Sequence, residues 1–183
     1  MTMSLWVMVY ILINGVAALP FMAMAQRDFR RLGRWSLPVA LMSGALMHGH
    51  FLAHMALSWL DRGSLFTPGL AGLLAGASLF LAGAVVIALG RRAYGEVARV
   101  YGLKEDELIT VGVYRWTRNP QYVGYAAMFF GAVIASGSAL ATVSAILFAV
   151  FIHVFITRVE EPQMQRVFAE TFEAYRRRVR RYL

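Results

Sequence analysis

Four stretches of this chain, residues 1–26, 35–60, 63–90 and 119–157, contain no Asp, Glu, Lys or Arg. An α-helix rises 1.5 Å per residue, so roughly 20 apolar residues cross the hydrocarbon core of a bilayer. The first three runs, of 26, 26 and 28 residues, each match one span with some slack. The fourth has 39 residues; as a single helix it would reach about 58 Å, nearly twice the core. It has to cross and return, and Ser136-Gly137-Ser138 lies near its middle. The expected fold is therefore all-α: an integral membrane bundle of five transmembrane helices, the last two a helical hairpin. Only 15% of the residues are charged and 59% are apolar, whereas an ordinary soluble domain is about a quarter charged. A water-soluble globule is excluded.

The charges that remain set an orientation. Five spans alternate the connecting segments between the two faces. Seventeen of the 18 Lys and Arg residues then fall on one side, the exception being Arg62. The positive-inside rule makes that side cytoplasmic, with the N-terminus outside and the C-terminus inside. The N-terminal run lacks a basic leader and is too long for a signal-peptide core, so it reads as a retained first span. The net charge of +8 fits topology and contact with anionic lipid headgroups better than nucleic acid, which is not expected as a partner. The absence of cysteine excludes disulfides, thiolate metal sites and a cysteine nucleophile.

Past the last span, Met164, Phe168, Phe172, Tyr175, Val179 and Tyr182 recur every three or four residues. This is the apolar stripe of an amphipathic helix. Its other face is rich in arginine, which suits a helix lying along the cytoplasmic interface over 163–182. Pro162 breaks the helix arriving from the membrane and is best tolerated in the first turn of the next.

Three polar groups stand out against this apolar background. Gly112-Val113-Tyr114-Arg115-Trp116-Thr117-Arg118-Asn119-Pro120-Gln121-Tyr122-Val123-Gly124 leads into the fourth span. An interfacial belt of Arg, Trp and Tyr with a proline cap would have the same composition. Arg158-Val159-Glu160-Glu161 follows the fifth span. Its acids either neutralise nearby arginines or receive a cationic or polyhydroxylated ligand, since ionised carboxylates only accept hydrogen bonds. The hairpin returns both motifs to one membrane face, so Asn119 and Glu160 should be neighbours. The third group is His48, His50 and His54 in the second span, with His153 in the fifth. Ionisable residues at membrane depth are functional by default. His48 nevertheless lies about 200° around the helix from His50, and no acid in that span could orient a ligating imidazole. Neutral histidines bonding across helices are favoured over a metal site.

Taken together, the two boundary motifs resemble the isoprenylcysteine carboxyl methyltransferase and phosphatidylethanolamine methyltransferase group of integral membrane enzymes. The group's Gly-x-Tyr followed by Arg-His-Pro-x-Tyr-x-Gly is similar to Gly112-Val-Tyr114 followed by Arg118-Asn119-Pro120-Gln-Tyr122-Val-Gly124. Its later Glu-Glu signature resembles Glu160-Glu161 with Met164, Phe168, Ala169, Phe172 and Tyr175. Leu89-Gly90-Arg91 with Tyr94 looks like the stretch closing the preceding span in bacterial members. Asn119 stands where the group has histidine; it keeps hydrogen-bonding capacity but cannot be charged. Ala169 and Phe172 stand for Gly and Tyr, at positions expected to serve packing.

The resemblance implies an S-adenosylmethionine-dependent methyltransferase of a bacterial inner membrane, acting on a lipid or other hydrophobic small molecule. The charge-free runs make one membrane domain of 1–183, with three spans in 1–90, and the resemblance, which covers about residues 80–182, implies a cytoplasmic cofactor-binding region within 91–183. The cofactor would be held by the backbone of Leu108 and Ile109 and by Tyr114, Arg118, Asn119, Pro120, Tyr122, Glu160 and Glu161. Glu160 would offset the cofactor's charge as a catalytic residue beside Arg158, which would orient an anionic group; no metal is implied. Two other readings remain open on sequence: a membrane-embedded NADPH-dependent reductase of the sterol reductase type, and a non-enzymatic membrane protein docking lipid or a partner.

Overall fold

The computed structural model describes residues 2–183, which are helical apart from connectors. The helices are α1 (Met3–Leu32), α2 (Leu37–Leu60), α3 (Leu70–Tyr94), the short α4 (Val97–Val100), α5 (Pro120–Ser136), α6 (Ala139–Phe155) and α7 (Glu161–Arg178). A 3-10 turn at Gly112–Arg115 precedes α5, and a π turn at Ile156–Glu160 joins α6 to α7. Among the described residues the only β feature is one bridge between Thr117 and Arg180.

Three helical stretches are each long and apolar enough to cross a membrane: Met3–Leu32, Leu70–Tyr94 and the continuous run Ala139–Arg178. Their outer faces carry exposed Trp6, Ile13, Leu19, Leu74, Leu81, Val85 and Val150, an apolar exterior suited to lipid rather than water. α5 has only 17 residues, and α2 is long enough but carries three histidines among its apolar residues.

The fourth charge-free run is a hairpin, as its length requires. Gly137 turns the chain with φ of 61°, a left-handed conformation that glycine adopts without a Cβ clash. Ser138 then caps α6, its side chain accepting from the Ala141 N–H.

The hairpin docks on α3 through paired glycines, which the spacing arguments above do not anticipate. A Cβ at Gly83 would lie 2.5 Å from the Gly124 carbonyl oxygen. One at Gly76 would lie 2.5 Å from the carbonyl oxygen of Gly131. Small residues allow such backbone contact between apolar helices, where dispersion replaces the hydrophobic effect.

The core has two parts. One surrounds Phe129 and Phe148, with Ile11, Leu57 and Ile87. The other gathers Phe21, Phe29, Trp35, Phe155 and Val159 at the end where α1 meets α2. Trp35 is anchored there, its backbone N–H donating 2.7 Å to the Gly102 carbonyl, which draws the segment after α4 against the bundle.

α7 starts with Pro162 in its first turn, where a missing N–H costs least. Phe172 and Tyr175 are buried. Ala169 corrects an expectation: it is exposed and bends the helix with φ of 42° and ψ of −115°, so the position makes a kink rather than packing. The resembled motif's glycine suits that backbone better than alanine does.

Candidate functional site

A cleft opens where the start of α5, the end of α3, the π turn and α7 converge, covered by the segment 99–114. Each wall has a local cause. Pro120, in the first turn of α5, starts that helix, and two residues later Tyr122 faces the cleft. The π turn carries Glu160 around to meet it. The Tyr122 hydroxyl donates to Glu160 Oε1 at 2.6 Å, joining residues 38 apart in sequence.

The adjacent glutamates have different partners. Glu161 is neutralised: Arg118 Nη2 donates to its Oε1 at 2.6 Å, and Arg181 donates to both its oxygens at 2.9 and 2.8 Å. Arg118 is 8% exposed and Glu161 14% by side chain. Burial opposes ionisation there, but the hydrogen bonds from Arg181 and Arg118 prevail and hold the Glu161 carboxyl below its usual range. Glu160, just beyond the last charge-free run, has Tyr122 and, among the described residues, no cation. Burial, opposed by the Tyr122 hydrogen bond and reinforced by Glu161, pushes it up to about 7.

A third acid completes the cleft and was missed in the sequence. Glu105 is half-buried and has no hydrogen-bond partner among the described residues. Burial, with the charges of Glu160 and Asp106, pushes its carboxyl up to about 8. Its neighbours are paired: Lys104 reaches Glu96 at 3.1 Å and Asp106 bonds Arg99 at 2.8 Å. Glu105 is thereby the one charge of Lys104-Glu105-Asp106 without a partner among the described residues, and no pattern in the sequence singles it out.

Aromatic rings line the rest. Tyr94 and Tyr114 meet edge to face at 5.7 Å, and Tyr175 donates 2.7 Å to the Tyr114 carbonyl, fixing α7 against this wall. Leu108 and Ile109 also line the cleft, as do Tyr114, Arg118, Asn119, Tyr122, Glu160 and Glu161. Pro120 is fully buried behind it and packs near Gly90.

Two expected site residues are placed otherwise. Arg158 is exposed and does not line the cleft; its carbonyl accepts from Gln26 Nε2. Residues two apart on a helical turn do not share a face, so placing Glu160 inward turns Arg158 outward. Asn119 reaches the cleft wall, but its amide donates to the Arg181 carbonyl at 3.1 Å. The C-terminal segment lies across this helix start, with the Arg118 N–H bonded to the Arg180 carbonyl.

The histidines of α2 divide in the same way. The buried His54 donates from Nε2 to the Phe129 carbonyl and accepts on Nδ1 from Ser144. His50 Nε2 donates to the Ser144 carbonyl. These bonds tie α2 to α5 and α6. His48 instead borders the cleft, and also a shallower apolar groove on the outer side of α2 with Leu37, Leu41, Ala45 and Leu103. Gly44, His48 and Tyr101 belong to both.

Two acids without a cationic partner among the described residues, set among tyrosine rings, suit a cationic ligand, because carboxylates and ring faces both attract positive charge. Buried guanidinium nitrogens, Arg91 Nε and Arg118 Nε, have no partner among the described residues and could serve an anionic group on the same ligand.

A family model described as phospholipid methyltransferase matches residues 71–171, more than half of the chain and most of the cleft. No curated protein and no solved structure matches.

Proposed function

The chain belongs to the phospholipid methyltransferase family, and from that premise we propose that it transfers a methyl group from S-adenosylmethionine to a lipid or other hydrophobic small molecule within the membrane. The observation that carries this reading is Glu160, held 2.6 Å from the Tyr122 hydroxyl with no cation beside it. A structural acid would be paired, as Glu161 is.

The cleft's chemistry fits the cofactor. Glu160 and Glu105 offer negative charge to its sulfonium and ammonium groups. Tyr94, Tyr114 and Tyr122 offer ring faces to the same charge. The open nitrogens of Arg118 and Arg91 are donors for its carboxylate. Leu108 and Ile109 supply backbone groups and apolar cover. When bound, the cofactor supplies a methyl group already activated by the sulfonium, so the protein's work is orientation and exclusion of water. Tyr122 orients Glu160 by its hydrogen bond. α7, through Tyr175, closes the wall that keeps water out.

In this reading α1, α2, α3, α5 and α6 cross the bilayer. α7 lies along the cytoplasmic face of a bacterial inner membrane, against anionic lipid, with the N-terminus outside. The groove beside α2 is the path by which an acceptor enters sideways from the leaflet. The family match gives no support to a reductase or to a purely docking protein. Calorimetric titration of the purified protein in detergent with S-adenosylmethionine and, separately, NADPH tests the proposal. Saturable binding of S-adenosylmethionine alone is expected. Binding of NADPH alone, or of neither, would overturn it.

A further inference from the structure

His48 sits 11 residues after the start of α2, about 16 Å along that helix. An ionisable side chain at such depth calls for a function, and the staple formed by His50, His54 and Ser144 does not include this one. Its Nδ1 lies 2.7 Å from the Gly44 carbonyl oxygen. A carbonyl only accepts, so Nδ1 carries the proton and the tautomer is fixed. In the neutral ring Nε2 is then a bare lone pair. Among the described residues nothing bonds to it. Of the four histidines, His48 alone lines the cleft, and it does so where the cleft joins the apolar groove. Tyr101 stands over the same junction, 3.8 Å from a Cβ built at Gly44.

We propose that His48 is the general base of the reaction, taking the proton from the acceptor's nucleophilic atom before or as that atom is methylated. This rests on the methyltransferase reading above and narrows its substrate. The acceptor atom forms its new bond to the methyl carbon with its own lone pair. The electron pair of the broken carbon–sulfur bond stays on sulfur. The proton shed by the acceptor atom goes to His48 Nε2, and the Gly44 carbonyl steadies the resulting imidazolium through Nδ1–H. An ammonium gives up its proton first, which frees the nitrogen lone pair that then attacks; a phenol or thiol gives it up as it attacks. A carboxylate has no such proton at neutral pH and no use for a base. The acceptor class is therefore a hydrophobic amine, phenol or thiol, presented from the groove with its reactive head toward Nε2.

The test uses the whole protein in phosphatidylcholine nanodiscs with four probes: dioleoyl phosphatidylethanolamine, 4-dodecylphenol, dodecanethiol and the carboxylate N-acetyl-farnesylcysteine. Release of S-adenosylhomocysteine is measured for the native protein and for His48→Asn, whose amide retains a donor for the Gly44 carbonyl. Removing a general base costs about a hundredfold or more in rate. We expect that loss in kcat with at least one of the first three probes. Melting temperature and S-adenosylmethionine affinity should be unchanged, and the carboxylate should not be methylated. A native rate in His48→Asn overturns the base. Methylation of the carboxylate alone, or of none of the probes by protein that binds the cofactor, overturns the acceptor class. Failure to bind S-adenosylmethionine at all overturns the underlying reading instead. Histidine nitrogen NMR, which needs no acceptor, should show His48 as the Nδ1–H tautomer at neutral pH; an Nε2–H tautomer refutes the role.

Discussion

The two ends of the α5–α6 hairpin handle their acids in opposite ways. At the turn, Asp61 accepts from Ser64 Oγ and Ser138 Oγ at 2.7 Å each and from the Leu140 N–H at 2.9 Å. Desolvation opposes its charge, yet those bonds hold the carboxyl below its usual range. At the cleft, Glu160 has one hydrogen bond and Glu105 has none among the described residues. An acid with its full set of donors is a clamp. An acid buried without them is costly, and persists where a ligand supplies what is missing. The difference separates the part of the hairpin that holds it together from the part that works.

The largest change would break both ends at once. Gly83→Leu forces a side chain against the Gly124 carbonyl, 2.5 Å from its Cβ; overpacking of this kind costs about 3 kcal/mol. A severe loss of folded protein in size-exclusion profiles is expected, and a native-like profile would disprove the close α3–α5 contact. Removing the clamp alone should be smaller and one-sided. Asp61→Ala leaves three donors without an acceptor, costing about 2 kcal/mol, read as a lowered melting temperature with unchanged S-adenosylmethionine affinity.

The cleft acids should also impose a pH dependence. Folded Glu105 and Glu160 retain protons up to about 8 and about 7, whereas unfolded glutamates release them near their usual value of about 4.3. Between those limits the folded state binds more protons, so stability falls as pH rises. Converted in full, the two shifts amount to about 6 kcal/mol between pH 5 and 8. Both side chains are partly open to solvent, which screens them, and a decline of about 1–2 kcal/mol is expected in cofactor-free melts. Glu105→Gln should flatten it. The smallest effect lies outside both ends: Ala169→Gly relieves φ of 42° and should stabilise by about 0.5–1 kcal/mol.

Much of this was legible in the sequence because it depends on length and charge. The uncharged run of 119–157 demanded a hairpin, and the hairpin brought Tyr122 to Glu160. What escaped depends on direction. Arg158 and Glu160 are neighbours in sequence yet face opposite ways. Glu105 looked like one charge in a polar connector until its neighbours proved to be paired. The C-terminal segment, whose carbonyls occupy Asn119 and Arg118, keeps Val179 and Tyr182 in step with the apolar stripe and so reads as helix to 182; the helix instead ends at Arg178 and Val179 turns extended, folding the last residues back across the start of α5. Gly76 and Gly83 are seven apart, as are Gly124 and Gly131, but a glycine spacing does not say which helix it will meet.

The central claim is that adjacent glutamates have separate tasks, Glu160 for the ligand and Glu161 for the fold. Glu160→Gln and Glu161→Gln, each melted and each titrated with S-adenosylmethionine, test it directly. Glu160→Gln should weaken binding at least tenfold, about 1.4 kcal/mol, while the cofactor-free protein melts no lower than the native one. Glu161→Gln should lower the melting temperature by leaving Arg118 without its counter-charge, and should retain more of the affinity. The reverse pattern, with stability lost at Glu160 and binding lost at Glu161, would contradict the account.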